Sequence, residues 1–175
     1  SEVETNSDLR GFVINGVATD DQSGNSVSSA GDVNGDGFDD LIIGADRDDP
    51  NGSSSGASFV VFGKADGAAV ELSTVEAGTG GFVINGVATG DYSGLPVSSA
   101  GDINGDGFDD LIIGAFFDDP NGSNSGASFV VFGKADGAKV ELSEIELGTN
   151  GDGFVINGVA TGDYSGYSVS SAGDI

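Results

Sequence analysis

Residues 32–40 read D-V-N-G-D-G-F-D-D, residues 102–110 read D-I-N-G-D-G-F-D-D, and the pattern begins a third time at Asp174. Oxygen-bearing side chains stand at positions 1, 3, 5 and 9 of each nine, with Gly at position 6. A hard divalent cation needs such a set from a short loop, and the Gly lets the backbone turn around it. Calcium fits best, because it accepts about six to eight oxygens in irregular geometry. The expected ligands are the side chains of Asp32, Asn34, Asp36 and Asp40 with the carbonyl of Phe38. In the second loop they are Asp102, Asn104, Asp106 and Asp110 with the carbonyl of Phe108, and Asp174 would be the first ligand of a third. Magnesium demands near-octahedral geometry, and the thiolate and imidazole metals find no ligands in a chain without Cys or His. The plain alternative is a set of polar Asp/Asn/Gly turns.

D-x-N-G-D-G also occurs in helical calcium modules such as the EF-hand and the dockerin. The residues after the loop argue against them. Leu41-Ile42-Ile43-Gly44-Ala45 is a short β-branched run broken by Gly, which suits a buried strand and makes a poor amphipathic helix.

The elements that must hold these loops repeat with them. Residues 11–80 align with 81–150 without a gap and with 13 differences in 70 positions, and a third copy opens at Gly153 after a two-residue insertion. The units are 11–80, 81–152 and a partial 153–175, with 1–10 as the tail of a preceding repeat. Each period holds four expected strands: 11–17, 25–31, 41–45 and 57–63. Residues 64–80 return the chain to the next unit without expected regular structure, their Val70, Leu72 and Val75 tucked under the sheet.

The series S-V-S-S-A-G-D-x-N-G-D-G-F-D-D-L-I-I-G-A, followed by S-G-A-S-F-V-V-F-G-K, resembles the FG-GAP repeat of integrin α-subunit propellers and of many bacterial surface proteins. The resemblance covers nearly the whole chain. It implies an all-β fold of β-propeller blades with four antiparallel strands each, here about two and a half blades of a larger propeller or array. It also implies calcium in the hairpin after the innermost strand, an extracellular or cell-surface location and a bacterial source. The chain departs from the pattern where Phe-Gly becomes Ser23-Gly24, Ser93-Gly94 and Ser165-Gly166, and where the Pro of Gly-Ala-Pro becomes Asp46 or Phe116. Counting strands by the resemblance adds an inner strand at 167–173.

Composition bounds the partners. A net charge of −24, opposed by only five Lys and Arg, argues against nucleic acid and anionic lipid. No apolar run is long enough for membrane insertion. The absence of Met implies a mature or excised segment, and the absence of Cys leaves ions in place of disulfides as staples.

Hairpin alternation puts residues 18–24 and 46–56 on the face opposite the nine-residue loops, and there the copies differ: Asp46-Arg47 becomes Phe116-Phe117, and Gln22 becomes Tyr92 and Tyr164. These four aromatics are candidates for contact with a protein or glycan ligand, the alternative being packing against the next blade. Asp48-Asp49 and Asp118-Asp119 could bind a second cation or supply the two carboxylates of a glycosidase, but read first as solvated turns before Pro-Asn-Gly. Asn51 and Asn121 open glycosylation sequons, and Asp39 and Asp109 at loop position 8 are expected to point outward or to support the metal ligands. No constellation supports catalysis. The expected function is a calcium-stabilised extracellular binding or adhesion module. The alternatives are a structural surface array, self-associating through open sheet edges, and an accessory propeller of a secreted hydrolase.

Overall fold

β-branched runs punctuated by glycine form strands because their side chains pack well on a pleated surface while glycine supplies the reversals. The structure, a computed structural model, describes residues 11–172. The tail expected at 1–10 and Asp174 lie outside the described residues. In chain order the elements are β1 (Ile14–Asn15), β2 (Ser26–Gly31), β3 (Asp40–Ala45), β4 (Ala57–Val61), β5 (Val70–Glu71), α1 (Leu72–Glu76), β6 (Gly81–Asn85) and β7 (Val97–Gly101). They continue as β8 (Asp110–Ala115), β9 (Ala127–Val131), β10 (Val140–Glu141), α2 (Leu142–Glu146) and β11 (Gly153–Asn157).

Two antiparallel four-stranded sheets result, in the orders β6-β4-β3-β2 and β11-β9-β8-β7, and the short β10 extends the first by pairing with β6 in parallel. Their registers match: Val27, Ile43, Phe59 and Val83 lie in one row, and Val97, Ile113, Phe129 and Val155 in the other. Each sheet takes three strands from one repeat and its outer strand from the next. The architecture is all-β, two blades of a propeller whose sheets do not close into a ring.

Three expectations change. The strand expected at 11–17 shrinks to β1, which pairs only with β5 and in parallel. Its equivalents β6 and β11 pair along five residues with β4 and β9, and β1 has no such partner among the described residues. The inner strand expected at 167–173 is not formed over its described part, since no hairpin partner follows it there. Residues 64–80, expected to be irregular, contain β5 and α1; Leu72 and Val75 of that helix are buried, as their expected position under the sheet requires.

The main core lies between the blades. Ile42, Val60, Phe82 and Ile84 of the first sheet meet Leu111, Ile113, Phe129 and Val131 of the second, and Leu142 and Ile145 of α2 join them. Burying each such side chain contributes about 1.5–3 kcal/mol. A second cluster covers the other face of the first sheet, where Ile43, Phe59 and Val83 pack against Leu72 and Val75, with Ile14 beside them. Glu141 pins the second repeat to the first blade by accepting Asn51 Nδ2 at 3.0 Å and Asn85 Nδ2 at 2.9 Å.

Gly44 explains the glycine inside an otherwise apolar strand. A Cβ there would lie 1.9 Å from the carbonyl oxygen of Gly94, in the connection entering the next blade, and Gly114 meets Gly166 in the same way. Gly44→Ala is therefore expected to destabilise the fold by about 1–3 kcal/mol in urea unfolding, the cost of overpacking a close contact. A loss under about 0.5 kcal/mol would mean that the connection moves aside freely.

Candidate functional site

The hairpin between β2 and β3 carries the first nine-residue loop, and Asp32 organises it. Its Oδ1 accepts the N–H groups of Gly35 and Asp36 at 2.8 and 3.0 Å, and its Oδ2 accepts that of Gly37 at 2.9 Å. Asn34 Oδ1 accepts the Asp36 N–H, Asp36 Oδ1 accepts the Phe38 N–H, and Asn34 Nδ2 donates to Asp36 Oδ2. Gly35 and Gly37 make this winding possible by taking φ of 74° and 89°. The second loop repeats the network through Asp102, Asn104 and Asp106.

Asp40, at position 9, is fully buried and closes the loop from below, its two oxygens accepting Val33 N–H at 2.9 Å and Gly63 N–H at 2.7 Å. Asp110 does the same for Ile103 and Gly133. Burial pushes Asp40 up to about 6 against these two hydrogen bonds, and Asp36 and Asp32 add repulsion. Burial likewise raises Asp110, opposed by the amides of Gly133, Ile103 and Asn104.

The structure thus draws Asp32, Asn34 and Asp36 into one network, with Asp40 clipped beneath; the equivalent four do so in the second loop. Among the described residues no three acidic side chains are grouped closely enough to hold a metal ion as they stand. The donor set is nevertheless all oxygen, the chemistry a hard cation requires, and a carboxylate oxygen that accepts one N–H keeps a further lone pair.

Asp109, at position 8, neither points outward nor turns to its own loop. Its Oδ2 accepts the N–H of Asp32 at 2.8 Å, and its own N–H donates to the Asp32 carbonyl at 3.0 Å, which ties the second loop to the first across the blade interface.

At the opposite end of the strands the aromatics gather. Phe116 and Phe117 lie with centroids 4.4 Å apart, Phe117 meets Tyr92 at 5.5 Å and Tyr164 at 5.9 Å, and Phe116 meets Tyr167 at 5.2 Å. All four expected candidates are brought together, and Tyr167 joins them; its position, Asn25 in the first repeat and Leu95 in the second, differs in every copy. Phe116 and Phe117 are half-buried, packed against Tyr167 and Tyr164 of the following repeat.

The FG-GAP repeat family matches residues 23–61 and 97–131, the stretches that form three inner strands of each blade and the loop between the first two. The chain carries FG-GAP repeats. It is similar to integrin alpha-5 of Xenopus laevis, 33% identical over 60% of this chain, and to integrin alpha-6 of Gallus gallus, 29% identical over 82%. Integrin alpha-PS2 of Drosophila melanogaster is 30% identical over 77% of the chain. The chain spans only 9–13% of the length of these relatives. Among the described residues no helix is long and apolar enough to cross a membrane.

The loop that carries Phe116 and Phe117 also holds a buried acid. Asp118, expected in a solvated turn, is 6% exposed; its Oδ1 accepts the Asp119 N–H, and its Oδ2 has no hydrogen-bond partner. Asp91 is buried too and accepts the Ala88 N–H. Burial and then the charges of Asp91, Glu146 and Asp119 push Asp118 up to about 7, and burial pushes Asp91 up to about 6. The sequon asparagines are engaged as well: the amide nitrogens that glycosylation would modify donate to Gly86 O from Asn51 and to Gly158 O from Asn121.

Substitution separates Asp109, half-buried between the loops, from its exposed equivalent Asp39. Asp109→Ala should cost about 1.5–3 kcal/mol, the range for a hydrogen bond to a charged group, while Asp39→Ala at the exposed equivalent position should change stability by less than about 0.5 kcal/mol. Equal losses in denaturant unfolding would show that the link between loops is not what Asp109 supplies. Because the folded protein holds protons on Asp118 and Asp91 more tightly than the unfolded chain does, stability is gained as pH falls through about 7 toward 4 and lost as it rises. Asp118→Asn is therefore expected to raise the melting temperature at about pH 8 and to flatten its decline from about pH 5. Parallel profiles for the two proteins would contradict this.

Proposed function

We propose that these FG-GAP repeats form a calcium-stabilised extracellular or cell-surface binding module of the adhesion type, with no catalysis of its own. The repeat units are taken as 11–80, 81–152 and 153–175 after a tail at 1–10. The observation that carries the reading is the pair of wound loops at 32–40 and 102–110, in which carboxylate oxygens at matching positions already hold the backbone by accepting its N–H groups. The similarity to three integrin alpha subunits supports the adhesion class.

Calcium would be held by Asp32, Asn34, Asp36, Asp40 and the carbonyl of Phe38, and by Asp102, Asn104, Asp106, Asp110 and the carbonyl of Phe108; Asp174 would open a third loop. When bound it supplies positive charge among three carboxylates per loop. The chain itself does the rest. Asp32 and Asp102 fix the loop backbone, Asp40 and Asp110 anchor it to the end of the third strand, and the blade presents its opposite face, with Tyr92, Phe116, Phe117 and Tyr164, to a protein or glycan ligand.

A site with a Kd of about 10⁻⁴ M would add about 2.7 kcal/mol at about 10 mM calcium. The melting temperature is therefore expected to rise on moving from excess chelator to excess calcium, with magnesium doing less, and Asp36→Ala combined with Asp106→Ala should abolish the rise. An unaltered protein indifferent to calcium would overturn the reading.

A second reading, a self-associating structural array, is favoured by a difference between equivalent residues. Val27 is 65% exposed where Val97, covered by the neighbouring blade, is 5% exposed, and Leu41 and Ile103 are likewise open where Leu111 and Val33 are buried. A further blade on either side would cover them. Ordered polymers in calcium without any captured ligand would favour the array; a monomer at all concentrations in light scattering would exclude it.

A further inference from the structure

The five aromatic rings are not required by the fold. The first repeat builds the same loop with Gln22, Asn25, Asp46 and Arg47, and there Asn25 Nδ2 donates to Asp46 Oδ1 at 2.9 Å. In the second repeat both partners of that polar pair are replaced together, by Leu95 and Phe116. Of the five, Tyr164 is 41% and Tyr167 71% exposed, while Tyr92, Phe116 and Phe117 are half-buried behind them. Tyr92 and Tyr164 take left-handed backbone, with φ of 53° and 52°, as Gln22 does at 58°, so that conformation belongs to the loop and not to the aromatics. Open aromatics that the equivalent repeat builds its loop without point to a ligand more than to packing.

Phe116, Phe117, Asp163, Tyr164 and Tyr167 line an open cleft of about 510 Å³, within the usual range for small-molecule sites. We infer that this cleft binds a neutral pyranose unit of a glycan. A sugar ring offers apolar C–H faces to the aromatic walls, and its hydroxyls can both donate and accept. The rim is suited to that mixture. Asp163 Oδ2 takes the Ala160 N–H, leaving Oδ1 as an acceptor, and the phenol hydroxyls of Tyr164 and Tyr167 can donate. Anionic sugars are disfavoured by the net charge of −24 and by Asp163 in the cleft wall. A cationic side chain would use the acceptors but leave the phenol donors idle.

The inference deepens the proposed ligand role of the loop face and rests on it. Its test is isothermal titration of the whole chain in excess calcium with cellohexaose, maltohexaose and mannohexaose, with sialylated hexose oligomers and a hexa-lysine peptide as the competing classes. At least one neutral oligosaccharide is expected to bind, and Tyr167→Ala to weaken it about tenfold with an unchanged melting temperature. Tyr167 is mostly exposed, so its truncation leaves the folded blades intact. Phe116→Asp together with Phe117→Arg, the residues of the first repeat, should abolish binding while the circular dichroism is retained. Binding of hexa-lysine or of the sialylated oligomers alone, saccharide binding unaffected by these variants, or no binding at all would overturn the glycan assignment. The calcium-dependent melting shift is measured on the same samples and reports separately on the proposed module.

Discussion

Carboxylates accepting backbone N–H groups hold nearly every reversal of this chain. Asp32 and Asp102 each take three, Asp40 and Asp110 at least two, Asp109 one from the neighbouring blade, and Asp21, Asp91 and Asp163 one each at the entry to their blades. The protein is acidic, therefore, for a reason that basic side chains could not replace: the partners of its acids are peptide dipoles. Such bonds are stronger than neutral ones and need no counter-ion inside the fold. What they do not cancel is the repulsion between acids in one loop, visible where Asp36 and Asp32 help to raise Asp40. Accumulated negative charge of this kind works against the compact state through self-repulsion.

The second constraint is the exchange of strands between repeats. Because β6 completes the first sheet and β11 the second, no blade is finished until the next repeat has begun. α2 and β10 then close the gap between blades, with Glu141 reaching back to Asn51 and Asn85 and with Leu142 and Ile145 in the shared core. The loops inherit the same coupling, since Asp109 caps Asp32 only when two blades stand side by side. Rigidity at one nine-residue loop is thus passed to its neighbour through a bond that neither repeat could make alone.

Much of this was legible in the sequence because it depends on local spacing. The nine-residue pattern fixes where oxygens fall, and the β-branched runs 41–45 and 57–63 locate strands whose ends move by only one or two residues in the structure. α1 was not legible: five residues give a single i, i+3 pair, Leu72 and Val75, too short to display a helical period. β1 was overestimated because GFVING looks the same in all three copies, whereas its pairing depends on a partner that only β6 and β11 possess. The roles of Asp109 and Asp118 were hidden for a related reason. Each depends on what an adjacent connection brings to it, and identical residues at Asp39 and Asp48 have different surroundings.

Near-identical repeats normally make near-identical surfaces, so function must be sought where they diverge. The nine-residue loops scarcely vary, as scaffolding should not; only Val33 against Ile103 distinguishes them. The opposite ends of the same strands change from Asp, Arg, Gln and Asn to Phe, Tyr and Leu, and do so in coordinated pairs such as Asn25–Asp46 against Leu95–Phe116. Acids fix the backbone at both ends of each blade, but at one end the side chains are repeated while at the other they are free to differ. That separation lets one blade alter its exposed chemistry without disturbing the hairpins on which the stack depends.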